Sequence, residues 1–128
     1  ILDESKKPEP LLCIIDEVLR GTNTIERIAA SSRILAALHQ NWVLSFAATH
    51  DIELSYILDS LYDNYHFEEE VKEKEVVFSY ILKKGRATSR NAIRLLDMLE
   101  YDLGIVEGAA KAARDFEEKG VWESLKPV

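Results

Sequence analysis

Residues 11–16 read Leu-Leu-Cys-Ile-Ile-Asp, an aliphatic run without polar alternation, and this run constrains the fold of the 128-residue chain more than any other feature. A short unbroken apolar run of this kind fits a strand buried on both faces. Pro8 and Pro10 punctuate its start. Downstream, Gly21 sits in a short turn, and Asn23 followed by Glu26 has the form of a helix N-cap with its capping-box partner. Ile25, Ile28, Ala29, Ser32, Leu35, Ala36 and Leu38 then recur at helical spacing, which predicts a helix over 24–40. Residues 43–48, Val-Leu-Ser-Phe-Ala-Ala, give a second, mostly apolar strand. Strand, helix and strand joined by a crossover of this length form the unit that a parallel pair requires, so the expected class is α/β.

Asp51 reads as the cap of a short helix to about Leu58. Stretches 63–71 and 75–83 are rich in Tyr, Phe and Val, with Lys72-Glu73-Lys74 between them, and predict an antiparallel hairpin. Two helical patterns follow, Ser89–Tyr101 and Ile105–Lys119, separated near Asp102–Gly104. The expected organisation is a single domain over 1–128, sheet-containing over 1–87 and helical over 88–128.

With 47% hydrophobic and 30% charged residues the chain is neither disordered nor fibrous, and no apolar run approaches the roughly 20 residues that span a bilayer. No membrane segment or signal peptide is read from it, and the expected compartment is the cytoplasm. Sixteen Lys and Arg against 23 Asp and Glu leave a formal charge of −7, which opposes a role as the main nucleic-acid grip. Cys13, the only cysteine, excludes an internal disulfide, and within an apolar strand it reads as a small buried hydrophobe. Ile1 as first residue and Met98 as the only methionine lead to the expectation of a segment cut from a longer chain.

Ligands of open parallel sheets collect beyond the carboxyl ends of the strands. Two polar clusters fall there, Ile14-Ile15-Asp16-Glu17 and Ala48-Thr49-His50-Asp51. An aliphatic run closed by two acids is the Walker B pattern of nucleotide hydrolases, in which one acid serves a hydrated Mg²⁺ and the next acts on the attacking water; the same pair also occurs as a solvated strand cap. The whole stretch LLCIIDEVLRGTNTIERIAAS, with SFAATHDIELS after it, resembles the C-terminal part of the ATPase domain of the MutS family. There the acid pair precedes a Gly-Arg-Gly-Thr-Ser-Thr-like turn, here Leu19-Arg20-Gly21-Thr22-Asn23-Thr24, and the next strand ends in Ala-Thr-His.

The resemblance implies a partial P-loop NTPase sheet of the ABC-ATPase kind, with parallel strands, an antiparallel hairpin and C-terminal helices. It implies Asp16 as the metal residue, and Glu17 and His50 as catalytic residues acting on the water and the γ-phosphate. It also implies nucleotide contacts from Gly21, Thr22, Asn23, Thr24 and Thr49. ATP and Mg²⁺ are the implied cofactors, and the implied partners are mismatched or branched DNA, through other domains, and a second copy in a homodimer. The chain departs from the family at Ser89-Arg90-Asn91, where a Ser-Tyr-Gly-like motif is usual, so a MutS-like paralogue fits equally. Its five glycines form no G-x-x-x-x-G-K-[ST] loop, so the chain by itself is expected not to hydrolyse ATP.

The alternative is a non-enzymatic dimerisation module in which the acids only cap a strand. The basic stretch from Lys83 through Arg94 reads as a solvated turn or as a charge match to the acidic residues of 63–75. Trp42 reads as a packing residue, Trp122 as a docking residue, and His39 and His66 have no metal-ligand spacing.

Overall fold

The aliphatic run folds as strand β1 (Leu11–Asp16) and pairs in parallel with β2 (Val43–Ala48), Leu11 opposite Val43 and Asp16 opposite Ala48. This computed structural model describes residues 1–73, 75–87 and 92–127. The readings placed on Lys74, Ser89, Arg90 and Asn91 lie outside the described residues. The architecture is α/β, with a parallel two-stranded sheet, a two-stranded hairpin sheet and C-terminal helices. By its internal contacts the chain groups into two compact units, residues 1–66 with 82–87, and residues 67–81 with 88–128.

In the first unit, helix α2 (Thr24–Ala37) starts where the sequence places it, because Asn23 Oδ1 accepts from the N–H groups of Ile25 (3.0 Å) and Glu26 (3.3 Å). These bonds satisfy two of the donors that a helix start leaves unpaired. Cys13, Leu35, Leu38, Leu54 and Leu58 form the buried core, joining β1, α2 and helix α3 (Ile52–Ile57), with Leu11, Ile15, Ile28 and Val43 packed against it. Each fully buried Leu contributes about 1.5–3 kcal/mol. Cys13 is inside, as its setting in the strand implied. Ile25, by contrast, is exposed; the inward stripe of α2 runs through Ile28, Ser31, Ser32, Leu35 and Leu38, and Ile25 stands on the overhanging first turn.

The expectation that β1 is buried on both faces is corrected. Successive strand residues point to opposite sides, and the helices of the first unit cover only the side of Cys13. On the other side Leu12, Ile14, Leu44 and Phe46 remain 57–74% exposed.

The short helix α1 (Leu2–Ser5), which the two prolines did not disclose, ends in a buried Ser5 whose carbonyl accepts from Trp42 Nε1 at 2.8 Å. Trp42 is thus a packing residue that also carries a polar anchor. Tyr62 donates its hydroxyl to Leu35 O at 2.7 Å, and burial pushes its phenol above the ordinary value, so it stays a neutral donor. Arg86 lies 4.3 Å over the Tyr56 ring and bonds Ser55 O and the Asp59 carboxylate. Its charge match is therefore made with α3 and the turn after it, not with the acidic stretch at 63–75.

The hairpin strands β3 (Tyr65–Lys72) and β4 (Glu75–Lys84) keep the predicted bounds within two residues. Its base belongs to the first unit, where Gly85 N–H donates to Asn64 O at 2.8 Å; its tip belongs to the second. The second unit also holds α4 (Ala92–Met98) and α5 (Leu103–Lys119). α5 begins two residues before its predicted start because Asp102 Oδ1 caps Gly104 N–H at 2.8 Å, and it ends at Gly120 in the left-handed region, φ 72°. Trp122 stacks on Phe116 with ring centroids 4.1 Å apart. Among the described residues, no helix is long and apolar enough to cross a membrane.

Candidate functional site

Parallel pairing brings the ends of β1 and β2 together, and with them the two polar clusters. Asp16 closes β1 on the open side of the sheet, in line with Leu12 and Ile14, and among the described residues its carboxylate has no hydrogen bond or ion pair. Glu17 follows with its backbone in the left-handed region, φ 53°, and its N–H on Ala48 O at 2.9 Å. A non-glycine residue held there is strained, and the inter-strand bond is what keeps it. The turn aims the Glu17 carboxylate across the strand tips, where Oε1 is 3.2 Å from His50 Nε2 and Oε2 is 3.3 Å from Arg20 Nε. A carboxylate has about four lone-pair sites, so these two contacts leave capacity for a water. The His50 side chain is 94% exposed.

The turn from β1 to α2 carries the other residues read from the sequence. Leu19 is left-handed at φ 55° and Gly21 at φ 84°. Thr22 Oγ1 donates to Leu19 O at 2.7 Å, Asn23 is committed to capping α2, and Thr24 opens that helix. On the facing loop, Thr49 Oγ1 accepts from Asp51 N–H at 3.0 Å. Glu17, Arg20, Gly21, Thr49 and His50 therefore line one open pocket of about 200 Å³, whereas Asp16, Thr22, Asn23 and Thr24 are not part of its lining.

Val18, Arg27 and Asp51, none of them assigned a site role from the sequence, complete the lining of this pocket. Asp51 is the N-cap residue of α3, as read, but its side chain makes no cap bond. Its carboxylate instead takes Arg27 in a two-pronged pair, Nε to Oδ2 and Nη2 to Oδ1, each at 2.7 Å, and Arg27 Nη1 donates to Thr22 O at 3.0 Å. The guanidinium holds the Asp51 carboxylate below its ordinary value against the opposing effect of burial, and Asp51 raises Arg27 in return. The available signal was topological: in a parallel strand-helix-strand unit, the first turn of the helix lies beside the end of the second strand, so opposite charges at those places meet.

Among the described residues, no group of three or more His, Cys, Asp or Glu could by itself hold a metal ion. Asp16 offers a single carboxylate, a hard oxygen ligand. That suits an ion such as Mg²⁺, which keeps most of its water and takes only one or two carboxylates.

Residues 1–117, carrying the strand-helix-strand unit, the hairpin and most of the terminal helices, match the family model described as MutS domain V. The chain belongs to the MutS family. It is 35% identical over 118 residues to the DNA mismatch repair protein MutS of Aquifex pyrophilus, covering 89% of this chain and 14% of that protein. To the DNA mismatch repair protein MSH3 of Eremothecium gossypii it is 34% identical over 112 residues, covering 80% of this chain and 11% of that protein. The MutS of Oceanobacillus iheyensis is 29% identical over 110 residues, covering 84% of this chain and 13% of that protein. The chain thus spans between a tenth and a seventh of the length of these relatives.

Proposed function

We propose that this chain supplies the acid-pair side of a Mg²⁺-dependent ATP site in a MutS-type DNA-repair protein, its parent acting in the cytoplasm as a homodimer that binds mismatched or branched DNA through other parts. The observation that carries the reading is the meeting of Glu17 and His50 at 3.2 Å on the tips of adjacent parallel strands, with Asp16, whose carboxylate has no partner among the described residues, closing the strand one residue before Glu17. Asp16 is the residue that would hold the metal. When bound, Mg²⁺ neutralises charge on the phosphate oxygens. Glu17 keeps an oxygen lone pair for the attacking water while Arg20 and His50 restrain its rotation. His50, anchored among the described residues only at Glu17 and open to solvent, turns its imidazole toward the terminal phosphate. Gly21, Thr22 and the backbone around them, with Thr49 opposite, shape the rim that contacts the nucleotide.

Because the sequence has no phosphate-cradling glycine loop with its lysine, the 128-residue chain alone turns over no ATP. A phosphate-release assay on this chain checks that; turnover abolished by Glu17→Gln would overturn it. In the full-length protein, Glu17→Gln is expected to leave Mg²⁺–ATP affinity within about twofold and to lower kcat by about a hundredfold or more. Loss of affinity with turnover per bound ATP preserved would refute the role of Glu17. No Mg²⁺–ATP binding by the full-length protein would favour the dimerisation module instead.

A further inference from the structure

Arg27 has no part in the roles assigned above, yet it makes more directed contacts than any other side chain around the pocket. One guanidinium bonds both oxygens of Asp51 and the carbonyl of Thr22, residues on two different loops. The side chains of Arg27 and Asp51 are only 21% and 15% exposed, unlike the solvated surface pairs that contribute almost nothing. The contacts close a ring. Glu17 touches His50, His50 precedes Asp51, Asp51 binds Arg27, Arg27 binds Thr22, and Thr22 Oγ1 returns to Leu19 O beside the acid pair.

We propose that Arg27, acting through Asp51, is a positioning residue that locks the Gly21–Thr24 turn to the strand end carrying His50, so that His50 and Glu17 are held in register. Each loop by itself has the freedom of a short exposed connection. A forked, planar donor with three bonds in fixed directions removes that freedom in both loops at once, which a lysine, presenting one point charge, cannot do. The effect on turnover rests on the ATPase reading above; the mechanical linkage does not.

The linkage is tested on the 128-residue chain by ¹H–¹⁵N correlation spectra of Arg27→Lys, Asp51→Asn and the double variant. Each single substitution is expected to shift the amides of both Gly21–Thr24 and Thr49–Ile52, and the double variant to reproduce those shifts without adding to them. Changes from Asp51→Asn confined to its own loop, or shifts that add in the double variant, overturn the proposal. In the full-length protein, Arg27→Lys is expected to lower kcat for ATP about tenfold with KM within twofold, the mark of lost alignment rather than lost binding. An unchanged kcat, or a change confined to KM, overturns the positioning role. Absence of turnover in the unsubstituted full-length protein sinks the ATPase reading, and the spectra then decide the linkage without it.

Discussion

Leu38 and Leu44 are the same residue type in the same unit, and truncating each to Ala separates the closed side of the parallel sheet from the open one. Leu38 is 1% exposed, so Leu38→Ala forfeits the transfer free energy of about three carbon groups at roughly 0.8 kcal/mol each, and the cavity left behind brings the total to about 3–5 kcal/mol. Leu44 is 60% exposed and projects from the uncovered face, so only about two-fifths of that transfer term is at stake and no cavity opens, about 1 kcal/mol in all. The measurement is urea unfolding followed through Trp42, in a Trp122→Phe background so that the signal comes from the first unit. Comparable losses from the two substitutions, on the order of 3 kcal/mol each, would refute the reasoning, because Leu44 would then have to be covered in solution. Repeating the series at rising protein concentration tells whether a second copy does the covering.

Stability should respond to acid through Asp51. Its pKa is depressed in the folded state by Arg27, so its contribution is fully present above the ordinary value of 3.8 and disappears as pH falls through the lower folded value. The stability gap between the unsubstituted chain and Asp51→Asn should therefore stay level from pH 7 to about 4 and narrow below it; narrowing already between pH 7 and 5 would assign the effect to another group. At Leu19, held at φ 55°, the conservative change should be the worse one. Leu19→Gly relieves the left-handed backbone and roughly offsets its own unfolded-state entropy, whereas Leu19→Ile keeps the volume and adds β-branching, so thermal melts should place Ile below Gly by about 1 kcal/mol. Equal midpoints would remove the argument from backbone strain.

Much of the first unit was legible because its signals are local. The aliphatic run, the Asn23 cap and the second strand sit within short windows, and together they dictate a parallel pair whose tips bring Glu17 to His50. What escaped depends on partners distant in sequence or on the phase of a stripe. Arg27 and Asp51 lie 24 residues apart; Arg27 carried no reading of its own, and Asp51 had a plausible local one as a cap. Ile25 fits the helical period but falls on a turn with no neighbour to bury it. Likewise, an aliphatic run records that a strand is suited to burial on both sides, not which elements of the same chain do the burying. The start of α5 turned on one acid, Asp102, read as linker when it is a cap.

The strand pairing acts as a measuring stick. Because Asp16 stands level with Ala48, the spacing from the first rung to Glu17 on one strand and to His50 on the other is counted out residue by residue. Extra length in the connection between Leu38 and Val43 can bulge outward and leave that count intact. One added residue within 43–49 cannot, for it would carry the imidazole past its acid and turn the apolar lining of the core toward water. Length variation among natural versions of this segment should therefore gather in the loop before the second strand and spare the strand itself.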